Sequence, residues 1–174
     1  MATPTEPIQR WVYEVVKVTR LPIPEELRDP ACMIGPKVWV MRRIRRLAPW
    51  LVHGQRPRSC CWPHEVDWRQ AAAIAVHLVH QAHMAGIPGE DIGEYVMDRV
   101  QDEHEDLDDR ERTAILFLVG LDAGIQLSEP GSSWLYGDGQ HRVAAQLDQG
   151  VRESIVQRVE LLDPVTGRPV TYGD

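Results

Sequence analysis

A glycine-rich turn that runs directly into a helix is the stretch of this sequence with the clearest chemical potential: YGDGQHRVAAQLDQG, residues 136–150. The first turn of a helix exposes unpaired backbone N–H groups and carries partial positive charge. Glycines let the backbone approach an anion closely, and an arginine such as Arg142 can hold phosphate oxygens in a fork. The segment is therefore built like a phosphate cradle. A tight strand-to-helix turn with Arg142 in a surface ion pair is the alternative.

The same stretch resembles part of a known family. Residues 134–161, WLYGDGQHRVAAQLDQGVRESIVQRVEL, are similar to the closing half of the ParB/sulfiredoxin-like fold, which has a strand, a DGQHR-type turn, a helix with small residues one turn later, and a return strand. Residues 13–30 are more faintly similar to the opening strand and the segment after it, with Arg28 as a counterpart, and residues 123–127 could stand for the loop before the motif strand. The residues at matching places in the turn and helix are Gly139, His141, Arg142, Ala144 and Ala145.

The resemblance implies nucleotide binding more strongly than any one reaction. Relatives bind ATP or CTP through this turn, and some act in DNA segregation, transcription, DNA modification or small-molecule phosphorylation, so a nucleoside triphosphate with Mg²⁺ is the expected cofactor. Gln140 stands where sulfiredoxins carry a cysteine, so sulfinate reduction, which needs a thiolate, is not expected. Partition-type members carry GERR and a following helix-turn-helix, and a full clamp of that type is not expected in a chain of 174 residues.

Each polar residue of the turn has an expected role. Arg142 pairs with phosphate, His141 donates a hydrogen bond or acts as an acid or base, and Asp138 holds Mg²⁺ or orients Arg142. His141 and Asp138 are the predicted catalytic residues. The predicted nucleotide- or phosphate-binding set is Gly137, Gly139, Gln140, His141, Arg142 and Ala145.

Four arginines in KVWVMRRIRRLAPWL, residues 37–51, form a second candidate site. Apolar residues at 40, 44, 47 and 51 follow helical spacing, so the arginines supply the polar side of a helix. Trp39 and Trp50 flank them and could stack on bases while the arginines grip phosphates. A basic surface that packs on the acidic 90–111 region is the alternative. The predicted nucleic-acid-binding set is Arg42, Arg43, Arg45 and Arg46.

Histidines and acids offer a third hypothesis, a metal-assisted hydrolase or nuclease. His77, His80 and His83 spread over about 120° of a helix, so His77 and His80 could share a metal while His83 points aside; core or interface histidines are the alternative. The acids of 98–111 around His104 could attract a divalent cation, or form a solvated helix end that supplies N-terminal acids to the next helix. No residue is assigned as a metal ligand.

Cysteine use and hydropathy indicate the compartment. Cys32, Cys60 and Cys61 form no C-x-x-C, and an odd number of cysteines argues against a disulfide framework. The sequence has no apolar run of about 18 residues, and its first ten residues lack the pattern of a signal peptide. A cytoplasmic protein without a membrane span is expected.

The net charge of −7 is unevenly distributed, with +6 over residues 1–58, −11 over 59–130 and −2 over 131–174. This polarity fits a basic face for nucleic acid or nucleotide beside an acidic one, or two segments that pack on each other.

These elements predict one α+β domain over residues 10–165, with 1–9 and 166–174 as loose tails. Strands around 11–18, 133–137 and 154–161 form the small mixed sheet of a ParB/sulfiredoxin-like core, and a large helical insertion covers about 37–125. The expected function is a nucleotide- or phosphate-binding ParB-like protein associated with DNA, with phosphate transfer or nuclease activity open and a homodimer allowed. The alternative is a non-enzymatic DNA- or protein-binding regulator that uses 42–46, with the glycine-rich turn structural.

Overall fold

A computed structural model describes residues 6–24, 31–33, 35–51, 53–121, 123–128 and 135–170. Arg28 and the tryptophan and serines before Leu135 lie outside these residues. The α-helices within them are α1 Pro36–Leu47, α2 Trp62–Glu65, α3 Trp68–Ala85, α4 Ile92–Glu103, α5 Asp109–Val119 and α6 Gln140–Gln149. The strands are β1 Ile8–Lys17, β2 Ile125–Leu127, β3 Tyr136–Asp138 and β4 Glu153–Leu162. Short 3-10 turns cover Val18–Arg20, Ala31–Met33, Pro49–Leu51 and Gly89–Asp91.

The four strands form one mixed sheet in the order β1-β4-β2-β3. β1 and β4, from opposite ends of the chain, are antiparallel along their whole length, from Ile8 opposite Leu162 to Lys17 opposite Glu153. β4 runs parallel to β2, and β2 is antiparallel to β3. The predicted α+β class, a small mixed sheet with helices inserted after its first strand, is confirmed.

The structure adds one strand, β2, within residues 123–127, where the family resemblance implied a loop. β2 pairs Ile125 with Val156 of β4, and Ile125 is fully buried. A strand of three residues is too short to show the alternating pattern that identifies strands in a sequence. Its position between β4 and β3 is what joins the motif strand to the rest of the sheet.

Local sequence explains the central helix α3. The Asp67 side chain accepts hydrogen bonds from the backbone N–H groups of Arg69 and Gln70, as an N-cap residue does, and Gly86 adopts the left-handed conformation, φ +71°, at the C-terminal end. α3 packs against β4, α4 and α5. Its buried face of alanine, valine and leucine with Trp68 forms much of the core.

The motif helix α6 lies inside the protein. It is bounded by Gly139 and Gly150, both with positive φ, and every residue from Arg142 to Gln149 is buried. It contacts α1, α2, α3 and β2, so side chains on several of its faces meet other elements. Within the described part of the chain, no helix combines the length and apolar character needed to cross a bilayer.

Candidate metal centre

All three cysteines of the chain meet one histidine. Cys32 lies in the 3-10 turn Ala31–Met33, Cys60 and Cys61 precede α2, and His64 lies within α2. The four ligand atoms, three Sγ and His64 Nδ1, all lie within 4.8 Å of one another. The sulfur–sulfur distances are 3.3, 3.4 and 3.9 Å, and the sulfur–nitrogen distances are 3.3, 3.3 and 3.5 Å. Six similar edges define a nearly regular tetrahedron.

The size of this tetrahedron matches a metal ion rather than a disulfide. Its centre lies about 2.1 Å from each corner, and zinc binds sulfur at about 2.3 Å and imidazole nitrogen at about 2.0–2.1 Å. A disulfide needs sulfur atoms about 2.05 Å apart, and the three cysteines are free thiols. Among the described residues, no other group of three or more His, Cys, Asp or Glu side chains is arranged so that it could hold a metal ion.

The local fold of residues 58–65 brings three of the ligands together. The Cys61 carbonyl accepts hydrogen bonds from the backbone N–H groups of His64 and Glu65, which begins the short helix α2. Residues three apart on a helical turn lie on the same side, so Cys61 and His64 point to a common centre. Arg58 closes the loop by donating its N–H to the His64 carbonyl.

Behind the histidine lies a buried carboxylate. Asp148 Oδ2, from α6, lies 3.2 Å from His64 Nε2. A metal ion bound at Nδ1 would leave the ring proton on Nε2, which would then donate a hydrogen bond to this carboxylate. A second partner of this kind fixes the tautomer and orientation of a metal-binding histidine and raises its basicity.

Two arginines of α1 hold the carboxylate in turn. Arg42 donates to both Asp148 oxygens, from Nε at 3.1 Å and Nη2 at 3.0 Å, and Arg45 Nη1 donates at 3.1 Å. Arg42 Nη1 also donates to the Met33 carbonyl at 2.8 Å, next to Cys32. His64 and Asp148 are 1% exposed, Arg42 2% and Arg45 5%. The network therefore joins α1, α6 and both ligand segments inside the protein.

The titration of these groups reflects their burial and their partners. Burial raises the pKa of Asp148, but the hydrogen bonds from His64 and Arg42 and the charges of Arg42 and Arg45 outweigh it, so the pKa lies below its ordinary value. Burial, and then hydrogen bonds with the neighbouring thiols, raises the pKa of Cys32 to about 12, and burial also raises that of Cys61. A cation at the centre would favour the thiolate forms, since a coordinating thiol is deprotonated outright.

In the predicted phosphate cradle, Arg142 contacts groups of the protein itself. Arg142 is 7% exposed and donates to the backbone carbonyls of Phe117, Ala123 and Gly124 and, at 2.9 Å, to Asp138 Oδ2. Burial lowers its pKa, against the charge of Asp138 and its hydrogen bond. The guanidinium thus ties the turn to the end of α5 and to the segment before β2.

The remaining residues of the turn shape its backbone. Gly139 adopts φ +87°, and a Cβ there would lie 2.8 Å from the Ile125 Cα. The Asp138 carboxylate accepts the N–H of Gly139 at 2.6 Å. Ala145 is fully buried, whereas Gln140 and His141 in the first turn of α6 are half-buried and Gly137 is exposed. Nucleotide binding by this turn stays a prediction.

The four arginines of the predicted nucleic-acid-binding set face in different directions on α1. Arg42 and Arg45 turn inward because the Asp148 carboxylate draws them there, while Arg43 is exposed and Arg46 half-buried. Arg43 Cζ lies 4.3 Å above the centre of the Trp39 ring. The geometry leaves Arg43 and Arg46 as the two members of the predicted set on the surface.

Among the described residues, neither of the other clusters forms a group of three or more ligand atoms that could hold a metal ion, although His77 and His80 line the same two surface clefts. His77, His80 and His83 all lie on the exposed side of α3, and His77 contacts the Gln81 amide at 3.0 Å. The acids of 98–111 lie in the second half of α4, in the connection to α5 and in the first turn of α5, where Asp108 and Glu111 form a capping box. This matches the expected role of acids at the start of a helix.

Comparison of the chain with models of known families, with curated proteins and with solved structures finds no match. The resemblance to the ParB/sulfiredoxin-like family therefore stays a prediction.

The candidate metal centre contains neither a C-x-x-C motif nor paired histidines, so these motifs do not reveal it in the sequence. The available signal was Cys61-x-x-His64 with Cys60 beside it, which places three ligands in five residues. The fourth ligand, Cys32, is 28 residues before Cys60 and has no spacing relation to it that a motif would show.

Proposed function

We propose that this protein is a zinc-binding α+β protein in which one Zn²⁺ ion, held by Cys32, Cys60, Cys61 and His64, acts as a structural cross-link. The observation that carries the proposal is the tetrahedron of three sulfur atoms and one imidazole nitrogen with edges of 3.3–3.9 Å. Cys₃His is a ligand set of structural zinc sites.

The chemistry of the donors favours zinc among the common divalent ions. Thiolates are soft ligands that disfavour Mg²⁺ and Ca²⁺, which take oxygen, and a tetrahedral site of sulfur with nitrogen suits zinc. Four protein ligands fill the coordination sphere and leave no position for water or substrate, which separates structural from catalytic zinc sites. The site therefore supports a non-enzymatic role for the ion.

Charge balance across the buried network also favours a divalent ion with three thiolates. Zn²⁺ with three thiolates and a neutral imidazole carries −1, while Asp148 with Arg42 and Arg45 carries +1. The two groups touch through His64 and together are neutral. Isolated buried charge is costly, so each half of the network stabilises the other. Arg58, which lies 3.1 Å from His64 Nε2, is exposed, and water screens its charge.

The ion would hold together a part of the chain with little secondary structure of its own. Residues 53–58 form neither helix nor strand, and α2 has four residues. The cross-link joins this region to Cys32 and, through His64 and Asp148, to α6. In such a region the free energy of metal binding becomes folding free energy.

Metal analysis of the purified full chain tests this proposal. We expect one zinc per chain in the wild type and less than about 0.2 in Cys61→Ser, with His80→Asn, an exposed histidine outside the centre, as the matched control at one zinc per chain. Removal of zinc by a chelator should lower the melting temperature of the wild type by roughly 8–16 °C, since saturation at 1,000 times Kd contributes about 4.1 kcal/mol. The proposal would be contradicted if the purified wild type is folded without zinc and its melting temperature changes with neither chelator nor added Zn²⁺.

A further inference from the structure

Two surface clefts border the same short segment, Lys17–Arg20, which connects β1 to the following loop. One cleft, of 590 Å³, lies between this segment and α1. The other, of 680 Å³, lies between it, the Pro49–Leu51 turn and the start of β4. Side chains that characterise the first cleft are Arg20, Trp39, Arg43, Arg46 and Leu47. Those that characterise the second are Lys17, Arg45, Trp50, His53, Arg152 and Glu153.

The lining of the two clefts is strongly cationic in a chain that is acidic overall. Glu153 is the one carboxylate among the described residues that line them. Five of the cations form no ion pair with any carboxylate in the part of the chain that the structure describes: Lys17, Arg20, Arg43, Arg46 and Arg152. Cations gathered without a counter-charge attract a polyanion.

An independent observation comes from the wall of the second cleft. Arg45 is 5% exposed, and its Nε is buried with no hydrogen-bond partner among the described residues. Its Nη1 donates to Asp148, which also accepts hydrogen bonds from Arg42. The charge of Arg45 is matched within the Asp148 network, but its Nε–H is a donor without a partner among the described residues at the wall of the cleft.

Aromatic side chains lie beside the cations in both clefts. Trp39 is 40% exposed and Trp50 76% exposed, and tryptophans are seldom left in water without a partner because they bury large apolar areas. Arg43 lies over the Trp39 ring. Cations that track a phosphate backbone and exposed aromatic rings on which bases stack are the two elements of single-strand recognition.

We propose that this basic-aromatic surface, the two clefts on either side of Lys17–Arg20, binds single-stranded nucleic acid. The phosphate backbone runs along the segment from Arg43 and Arg46 to Lys17 and Arg152, with bases stacked on Trp39 and Trp50. Two clefts rather than one favour a polymer over a mononucleotide. Exposed stacking surfaces favour single strands, because the bases of a duplex are already stacked on each other. This surface is distinct from the glycine-rich turn and from the metal ligands.

Binding of a labelled single-stranded DNA of about 20 nucleotides, longer than the usual site of 4–16, tests the proposal by fluorescence anisotropy. The variants Arg43→Glu and Lys17→Glu probe one cleft each, and Trp50→Ala probes stacking. Arg168→Glu is the matched control, since this exposed arginine follows the far end of β4, roughly 30 Å from Glu153 for ten residues of strand. Zinc content and circular dichroism of each variant keep failure of folding or of the metal centre separate from failure of binding.

We expect each of the three variants to weaken binding about tenfold at low salt, and the control to change it less than twofold. The salt dependence of binding should become shallower by about 0.7 in logarithmic slope for each phosphate that a variant no longer neutralises. Equal losses in Arg168→Glu, or no binding by the zinc-loaded wild type, would overturn the proposal. Tighter binding of the matching duplex would identify duplex DNA as the occupant. Complete displacement of the labelled strand by ATP would identify a mononucleotide, and displacement by polyglutamate as effective as that by unlabelled strand would identify an acidic polypeptide. Each of these results would also overturn the proposal.

Discussion

The carboxylate of Asp148 lies 3.2 Å from Nε2 of His64, on the side of the imidazole ring opposite the nitrogen that faces the three cysteines. Asp148 belongs to the helix of the glycine-rich motif, and His64 to a four-residue helix 84 residues earlier. This contact links the glycine-rich motif to the cluster of three cysteines and His64. The motif helix therefore supports the proposed metal centre through Asp148.

Asp148→Asn should weaken zinc binding by 10–100-fold, the usual effect of losing a carboxylate partner of a metal-binding histidine. It should also lower the free energy of unfolding by about 3–5 kcal/mol, because Arg42 and Arg45 then lack a buried counter-charge. Chelator competition measures the affinity and urea denaturation the stability. Asp163→Asn, at an acid in an exposed turn, is the control that should retain wild-type zinc affinity. Wild-type affinity in Asp148→Asn would show that the carboxylate does not position His64.

Arg142→Ala distinguishes a structural arginine from a phosphate-binding one. Its loss leaves three backbone carbonyls without their donor, and an unsatisfied buried polar group costs about 1–3 kcal/mol. We expect the free energy of unfolding to fall by at least about 3 kcal/mol in the absence of any ligand. Equilibrium urea denaturation without nucleotide measures this. Unchanged stability together with a loss of ATP or CTP binding would assign Arg142 to the phosphate cradle instead.

Two glycines of the same turn make a matched pair. Gly139→Ala places a Cβ 2.8 Å from the Ile125 Cα at a residue with φ +87°, so we expect a loss of about 1–3 kcal/mol in stability. Gly137→Ala places its Cβ 3.7 Å from the nearest atom, an ordinary contact, and should change stability by less than about 1 kcal/mol. Thermal denaturation of both variants checks the prediction. Equal effects would mean that the turn is not held against β2 as described.

Because of Tyr136, we expect the free energy of unfolding to depend on pH in the alkaline range. Burial raises the pKa of its phenol above the ordinary value, partly opposed by the charge of Arg46, and its hydroxyl donates to the Pro22 carbonyl. Because the folded pKa is the higher one, the stabilisation is complete below the unfolded pKa of about 10. It is lost as the pH rises from there through the folded pKa, by about 1.4 kcal/mol per pH unit.

Tyr136→Phe should be less stable than the wild type at pH 8 by about 1 kcal/mol, and the difference should shrink above pH 10. Denaturation of both proteins from pH 8 to pH 11 measures it, and the comparison removes the cysteine titrations that both share. A difference that stays constant across this range would mean that Tyr136 ionises in the folded protein as easily as in the unfolded one.

Local signals in the sequence predicted the elements that depend on local interactions. The predicted strands around 11–18 and 154–161 coincide with β1 and β4, and α3 begins at an N-cap aspartate, Asp67, and ends at Gly86, which are local features of the sequence. β2 was not predicted, because three residues are too few to show an alternating pattern and because β2 forms a strand only by pairing with its neighbours, among them β4.

The metal centre and the inward turn of Arg42 and Arg45 depend on contacts between distant residues. Arg42 is 106 residues from Asp148, and no periodicity in a single sequence encodes such a pairing. The sequence correctly placed four arginines on a helix but could not show that two of them meet a buried carboxylate. It likewise showed three cysteines without showing that they share one centre.

X-ray absorption at the zinc edge of the purified full chain tests the proposed zinc centre most directly. We predict a first coordination shell of three sulfur atoms at about 2.3 Å and one nitrogen at about 2.0–2.1 Å, with one sulfur fewer in Cys32→Ser. That variant matters because Cys32 is the ligand farthest away in sequence. A shell of nitrogen and oxygen only, or a spectrum unchanged by Cys32→Ser, would contradict the zinc centre.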